Sequence, residues 1–269
     1  MTYDDLSEAV HLHCGAFLDY PGEVYFGSRQ ALSRCNGLAI VGLNPGGENG
    51  PTMRERLSRY ATEPSRDRFS GYLDQCWHEP KYSEGDECEA CNTSLHQYGH
   101  VRLVRHQKTV VRISDELEID LRQALAFNAI WLQTQNASKL RKFLREQHPP
   151  QSLTSHFQQL SLPVFQEVFD RCNVRLVLCL GNGVSDSAFS LFRKALGVPA
   201  EAVTQVGQSY RDGRYFDSVS GGHRRTYFGI ARPSLHETTS AGLNELKAQW
   251  DGRRASTMSL VSAATPQAK

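Results

Sequence analysis

Four short apolar runs, each set apart from the next by stretches of helical periodicity, constrain this chain more than any other feature. They are Leu38-Ala39-Ile40-Val41, Ala129-Ile130-Trp131-Leu132, the run 175–180, and Tyr227-Phe228-Gly229-Ile230-Ala231. Unbroken apolar runs of this length read as strands buried on both faces. Parallel strands cannot be joined by tight turns, and the helical stretches between the runs supply the crossovers. The expected fold class is therefore α/β: a three-layer α/β/α arrangement around a short, mainly parallel central sheet. Helices are expected at 4–19, 52–62, 115–127 (capped by Ser114 or Asp115), 138–147, 153–173 with a break near Pro163, 184–196 and 240–250. The glycine- and aromatic-rich stretch 203–222 suits a short hairpin. Nothing between the runs resembles a linker, so one domain over 1–251 is expected. It carries an inserted Cys/His-rich segment at about 64–112, and 252–269 reads as a disordered tail.

The first run ends in Gly42-Leu43-Asn44-Pro45-Gly46. Pro45 fixes its own φ and biases Asn44 away from the helical region. Glycines let backbone approach a ligand closely. The result is a short amide side chain, a carbonyl and backbone N–H groups near one point, at the carboxyl end of a strand. Open α/β sheets bind ligands there. Such a point can orient a water molecule.

The last run leads into Arg232-Pro233-Ser234-Leu235-His236, and the third into Gly181-Asn182-Gly183. Taken in order, the three stretches resemble the uracil/thymine-DNA glycosylase superfamily, in its mismatch-specific and single-strand-selective branches. The resemblance implies a base flipped out of DNA and hydrolysis of its N-glycosidic bond. It implies that Asn44 positions the water, with Gly42, Leu43, Pro45, Gly46 and Gly47 forming the motif around the base. Arg232 stands where the family usually has His or Asn. It can donate to the departing base or hold a phosphate. Ser234 matches a phosphate-contacting serine, and His236, with Leu235 as competitor, falls at the wedge position. The family usually reads the base with an Asn at the end of its second strand. After the run 129–132 the candidates are Gln135 and Asn136. The usual stacking aromatic is missing after the first motif, leaving Tyr60 or Phe69 to supply it. No lysine lies in either motif, so a monofunctional enzyme is implied. Small polar residues at 47–50 suit a pyrimidine with a bulky hydrophilic substituent. The superfamily includes prokaryotic anti-phage enzymes that remove glucosylated hydroxymethylcytosine. Uracil or mismatched thymine, an inactive DNA-binding module and an unrelated nucleotide hydrolase remain alternatives.

Cys76, Cys88 and Cys91, with His96 as fourth ligand, have donor types and spacing suited to a structural zinc. His78, His100 and His106 compete for the fourth place, and an iron–sulfur cluster is the rival. No cofactor is expected for the catalysis. His11, His13 and Cys14 read as packing. Net charge is +1, but the cations are clustered. Arg102, Arg105, Lys108 and Arg112 form one group, and Lys139, Arg141, Lys142 and Arg145 a second. Arg211, Arg214, Arg224, Arg225 and Arg232 form a third. Segregated charge suits a phosphate-facing surface and DNA as partner. Without an apolar run of about 18 residues or a basic leader, no membrane partner is expected, and a cytoplasmic monomer is.

Overall fold

The computed structural model describes residues 1–45, 50–74, 87–88, 93–94, 103–220, 222–231 and 238–263, with only the backbone at 87–88, 93–94, 220 and 255–263. Its elements in chain order begin with α1 (Tyr3–Cys14), α2 (Arg29–Ser33), β1 (Leu38–Gly42) and α3 (Met53–Thr62). The two-residue strands β2 (Glu87–Cys88) and β3 (Thr93–Ser94), α4 (Arg105–Glu116) and β4 (Leu125–Asn128) follow. Next come α5 (Ala137–Arg145), α6 (Leu153–His156), α7 (Leu162–Arg171), β5 (Leu176–Leu180) and α8 (Ala188–Ala195). The chain ends with β6 (Thr204–Gln205), β7 (Arg214–Ser220), β8 (His223–Ile230) and α9 (Ser240–Ala263).

The central sheet has the order β4-β1-β5-β8-β7-β6. β4, β1, β5 and β8 run parallel; β7 is antiparallel to both β8 and β6. This is the expected three-layer α/β/α class. Strand residues alternate between two cores. Ala39, Val41, Phe127, Val177, Cys179 and Tyr227 join the core under α1, α7 and α8. Leu38, Ile40, Ala126, Leu178, Phe228 and Ile230 join the core under α4 and α9.

Four assignments differ from the sequence reading. The helix expected at 115–127 is α4, which starts ten residues earlier and ends at Glu116. It stops in a Schellman turn: Glu118 takes φ 53°, Ile119 N–H donates to Ser114 O and Glu118 N–H to Asp115 O. Ser114 is thus in the last turn, not at the cap. The released chain forms β4 four residues before the run read as the second strand. That run, Ala129–Leu132, is buried and threads between two loops instead. Ala129 and Ile130 donate to Gly42 O and Leu43 O, while Trp131 O accepts from Glu23 N–H.

The break expected near Pro163 takes the form of a change in helical winding, not an exit from the helix. A π-helical segment, Phe157–Ser161, joins α6 to α7, and Pro163 sits in the first turn of α7 where its missing N–H costs least. Finally, α9 continues to Ala263, into the stretch read as a disordered tail. Arg253 anchors it at the end of its described side chains, donating to Thr226 Oγ1 and Asp217 Oδ1.

Candidate active site at the carboxyl edge of the sheet

Parallel strands share one carboxyl edge, and the register decides what meets there. Gly42 is the partner of Asn128 at the last paired position of β1 and β4. β5 ends beside them in Gly181 at φ 117°, a conformation that favours glycine, followed by Asn182. β8 brings the chain to the same edge at Ala231. Three asparagines, Asn44, Asn128 and Asn182, therefore gather where the strands end.

Asn44 is half-buried, and its Nδ2 donates to three oxygens: Pro45 O at 3.0 Å, Thr134 Oγ1 at 3.1 Å and Thr134 O at 3.3 Å. Two of these are carbonyls, which only accept. They fix the orientation of the amide, with nitrogen toward Thr134 and oxygen away from it. Among the described residues Asn44 Oδ1 accepts no hydrogen bond. A held amide with a free carbonyl oxygen can orient a water; it cannot take its proton outright. Thr134 N–H in turn donates to Pro45 O, so the two loops brace each other.

Asn128 is the residue that the sequence reading missed. It is 7 % exposed, yet no hydrogen bond of its side chain is formed among the described residues. Its Oδ1 leans over Gly42, where an added Cβ would come within 2.9 Å of it. Its amide atoms are not enclosed, so a ligand at the edge can reach them. The signal was the tetrapeptide Leu125-Ala126-Phe127-Asn128, an apolar run ending in an amide, which a mistaken helix assignment concealed.

Gln135 and Asn136 follow Thr134 beside the Asn44 loop, and Asn136 O accepts from Thr134 Oγ1 at 3.2 Å. Both are exposed, and Asn136 is the N-cap of α5, its Oδ1 accepting from Lys139 N–H at 3.0 Å. Tyr60 and Phe69 are not free to stack on a base. The Arg66 guanidinium lies 3.6 Å from the Tyr60 centroid and 4.0 Å from that of Phe69. Tyr60 Oη donates to Glu23 Oε1 at 2.8 Å, and burial, then Glu23, raises the phenol's pKa. Asn182 is buried and donates to Tyr210 O at 2.6 Å, tying the β5 turn to the loop before β7.

The three groups of cations separate. Arg224 pairs with Asp217, and the buried Arg225 pairs with Asp170; both lie at the amino end of β8, away from the site. Arg225 is buried within the fold, while Arg224 stays exposed. On α5, Arg141 pairs with Asp186 and Lys142 with Glu146. Arg105, Lys108 and Arg112 on α4 have no ion-pair partner among the described residues and line a cleft near the start of α9.

Gly46, Gly47, Arg232, Ser234, Leu235 and His236 lie outside the described residues. So do Cys76, Cys91 and His96, and at Cys88 only the backbone is described. Among the described residues no group of three or more His, Cys, Asp or Glu side chains is placed to hold a metal. Cys14, Cys35, Cys172 and Cys179 are free thiols. Burial pushes Cys14 and Cys172 up to about 12 and Cys35 to about 11, as unreactive packing groups require. Among the described residues no helix is long and apolar enough to cross a membrane. Compared with protein-family models and with curated proteins, the chain matches none.

Proposed function

We propose that this chain is a monofunctional DNA glycosylase that flips a modified pyrimidine from DNA and hydrolyses its N-glycosidic bond. The observation that carries this reading is the pair of amides at one strand edge, Asn44 and Asn128, with Asn44 Oδ1 and the Asn128 amide unbonded among the described residues. In the reaction Asn44 Oδ1 accepts a hydrogen bond from the attacking water and aims it at the sugar C1′. The C1′–N bond breaks, its electron pair leaves with the base, and water adds to the cation-like sugar, its proton passing to the departed base anion. The Asn128 amide offers one donor face and one acceptor face to the base's Watson–Crick edge. Turned one way it suits cytosine, with N3 accepting and N4 donating; turned the other it suits uracil. Neither pairing touches C5, which leaves space for a bulky substituent there. The polar stretch after Pro45 inclines the reading to a glucosylated hydroxymethylcytosine and to anti-phage defence. A cytoplasmic monomer acting on DNA, with a structural zinc on Cys76, Cys88, Cys91 and His96, belongs to the same reading. Glu87–Cys88 pairs antiparallel with Thr93–Ser94.

The test is an abasic-site assay on DNA carrying uracil, a G·T mismatch, hydroxymethylcytosine or its glucosylated form. Abasic sites are expected on one member, absent with Asn44→Ala while DNA binding persists. Gly42→Ala sharpens the test. Its Cβ meets only the end of the Asn128 side chain closely, so the fold should survive while the amide is displaced and the rate falls. Silence of the wild-type protein on every member, with DNA binding intact, would leave a binding module instead. Zinc at one equivalent by elemental analysis is expected; metal-free protein with unchanged thermal stability in chelator would remove that part.

A further inference from the structure

α4 and α9 pack side by side beneath the sheet, and both begin at its carboxyl edge. Leu243 of α9 joins the core that holds Ile113 of α4, and one turn further on Lys247 Nζ donates to Glu116 O. Above these contacts the helices part, leaving a cleft of about 340 Å³. Ile113 and Leu243 floor it; Arg105, Lys108 and Arg112 stand along one wall. The spacing i, i+3, i+7 places all three cations on one helical face. They are exposed and have no carboxylate partner among the described residues. Thr238, 5 % exposed, also lines the cleft, and its buried Oγ1 makes no hydrogen bond among the described residues. Next to it Thr239 O accepts from Leu243 N–H and Thr239 Oγ1 from Gly242 N–H, so the first turn of α9 opens at the cleft.

Each part has a bland explanation when taken singly. Exposed cations on a helix are common, and a helix N-terminus alone specifies nothing. A hydroxyl and three cations that have no partner among the described residues, all lining one cleft, suit a ligand rich in acceptors. A phosphate group supplies oxygens for the hydroxyl to donate to and charge for the cations. We propose that this cleft is a phosphate-binding site, separate from the Asn44–Asn128 edge, with Arg105, Lys108, Arg112 and Thr238 as its ligands. The site does not depend on the glycosylase reading. Assigning its phosphate to the DNA backbone does rest on that reading, since a free phosphorylated metabolite would present the same chemistry.

The experiment compares the wild type with Lys108→Gln/Arg112→Gln and with Thr238→Val. Thermal melts are followed as inorganic phosphate replaces chloride at constant ionic strength. A saturable rise in Tm is expected for the wild type, since a ligand bound only by the folded state stabilises it. At least a tenfold weaker response is expected in both variants, with their melts in chloride unchanged. Equal responses in all three proteins would overturn the proposal, since they would reflect only the salt's general effect on burial. Oligonucleotide affinity against salt then separates the sources. A slope shallower by about one in the double variant marks a lost backbone phosphate. An unchanged slope, with the phosphate response lost, assigns the cleft to a free ligand. Phosphate binding by a wild type that has no affinity for DNA keeps this site and removes the glycosylase reading.

Discussion

The two faces of the sheet are built differently. Under α1, α7 and α8 the core is a continuous aromatic cluster. Phe165 alone has ring neighbours in Phe127, Trp131, Phe157, Phe169 and Phe192, at 5.2 to 6.2 Å between centroids. Under α4 and α9 the contact is mainly aliphatic, with Val110, Ile113, Leu117, Leu243 and Leu246 closed off by Trp250. Large rings interlock in few ways, and displacing one opens a cavity that its neighbours cannot fill. Aliphatic helix packing tolerates repacking more readily. The aromatic face thus fixes the strands that carry Gly42 and Asn128. The other face leaves its helices parted where they reach the edge, and the unpaired cations gather there.

The comparison can be broken by substitution on each side. Phe165→Ala should cost about 3–5 kcal/mol in urea unfolding, the largest single loss expected. Leu246→Ala, on the aliphatic face, should cost about 2–4 kcal/mol; a cost above that of Phe165→Ala would reverse the ranking. Acid should act on the aromatic side. His156 is buried edge-on to Phe17 at 4.8 Å, and burial lowers its pKa to about 4. The unfolded chain takes up this proton near pH 6.5 and the folded chain only near 4, so stability is full above 6.5 and falls between the two. The loss should reach about 2 kcal/mol by pH 5. His156→Gln should remove this slope from a pH series of urea midpoints. Smallest is Thr52→Ala, which removes one half of the capping box opening α3 and should cost about 1 kcal/mol in the same assay.

Legibility followed the strength of local signals. Leu38–Val41 and Leu176–Leu180 read correctly because apolar runs bounded by glycine admit few alternatives. The helix expected at 52–62 agrees with α3, which Thr52 and Glu55 open with a capping box. The end of α4 was hidden because Glu118, not glycine, takes the left-handed position. That one substitution of the usual signal moved a helix, then a strand, and so concealed Asn128. The orientation of the Asn44 amide depends on Thr134, ninety residues away. Arg225, beside Arg224 in a basic-looking run, is fully buried, and no spacing rule separates the two. Contacts between distant segments leave no periodic trace.

The sheet's pairings also differ in how far along the chain each partner must be found. β7 meets β8 across a tight turn with Gly222 at φ 79°, so Ser220 pairs with His223. β1 must wait for β4, since Ile40 pairs with Ala126. Closing the longer loop costs more entropy before any contact repays it. The hairpin should therefore gain hydrogen-exchange protection first in pulse-labelled refolding, and the β1–β4 seam late. The amides that make up the candidate site would then be among the last parts of the protein to assemble, and a refolding chain would be compact before it was competent.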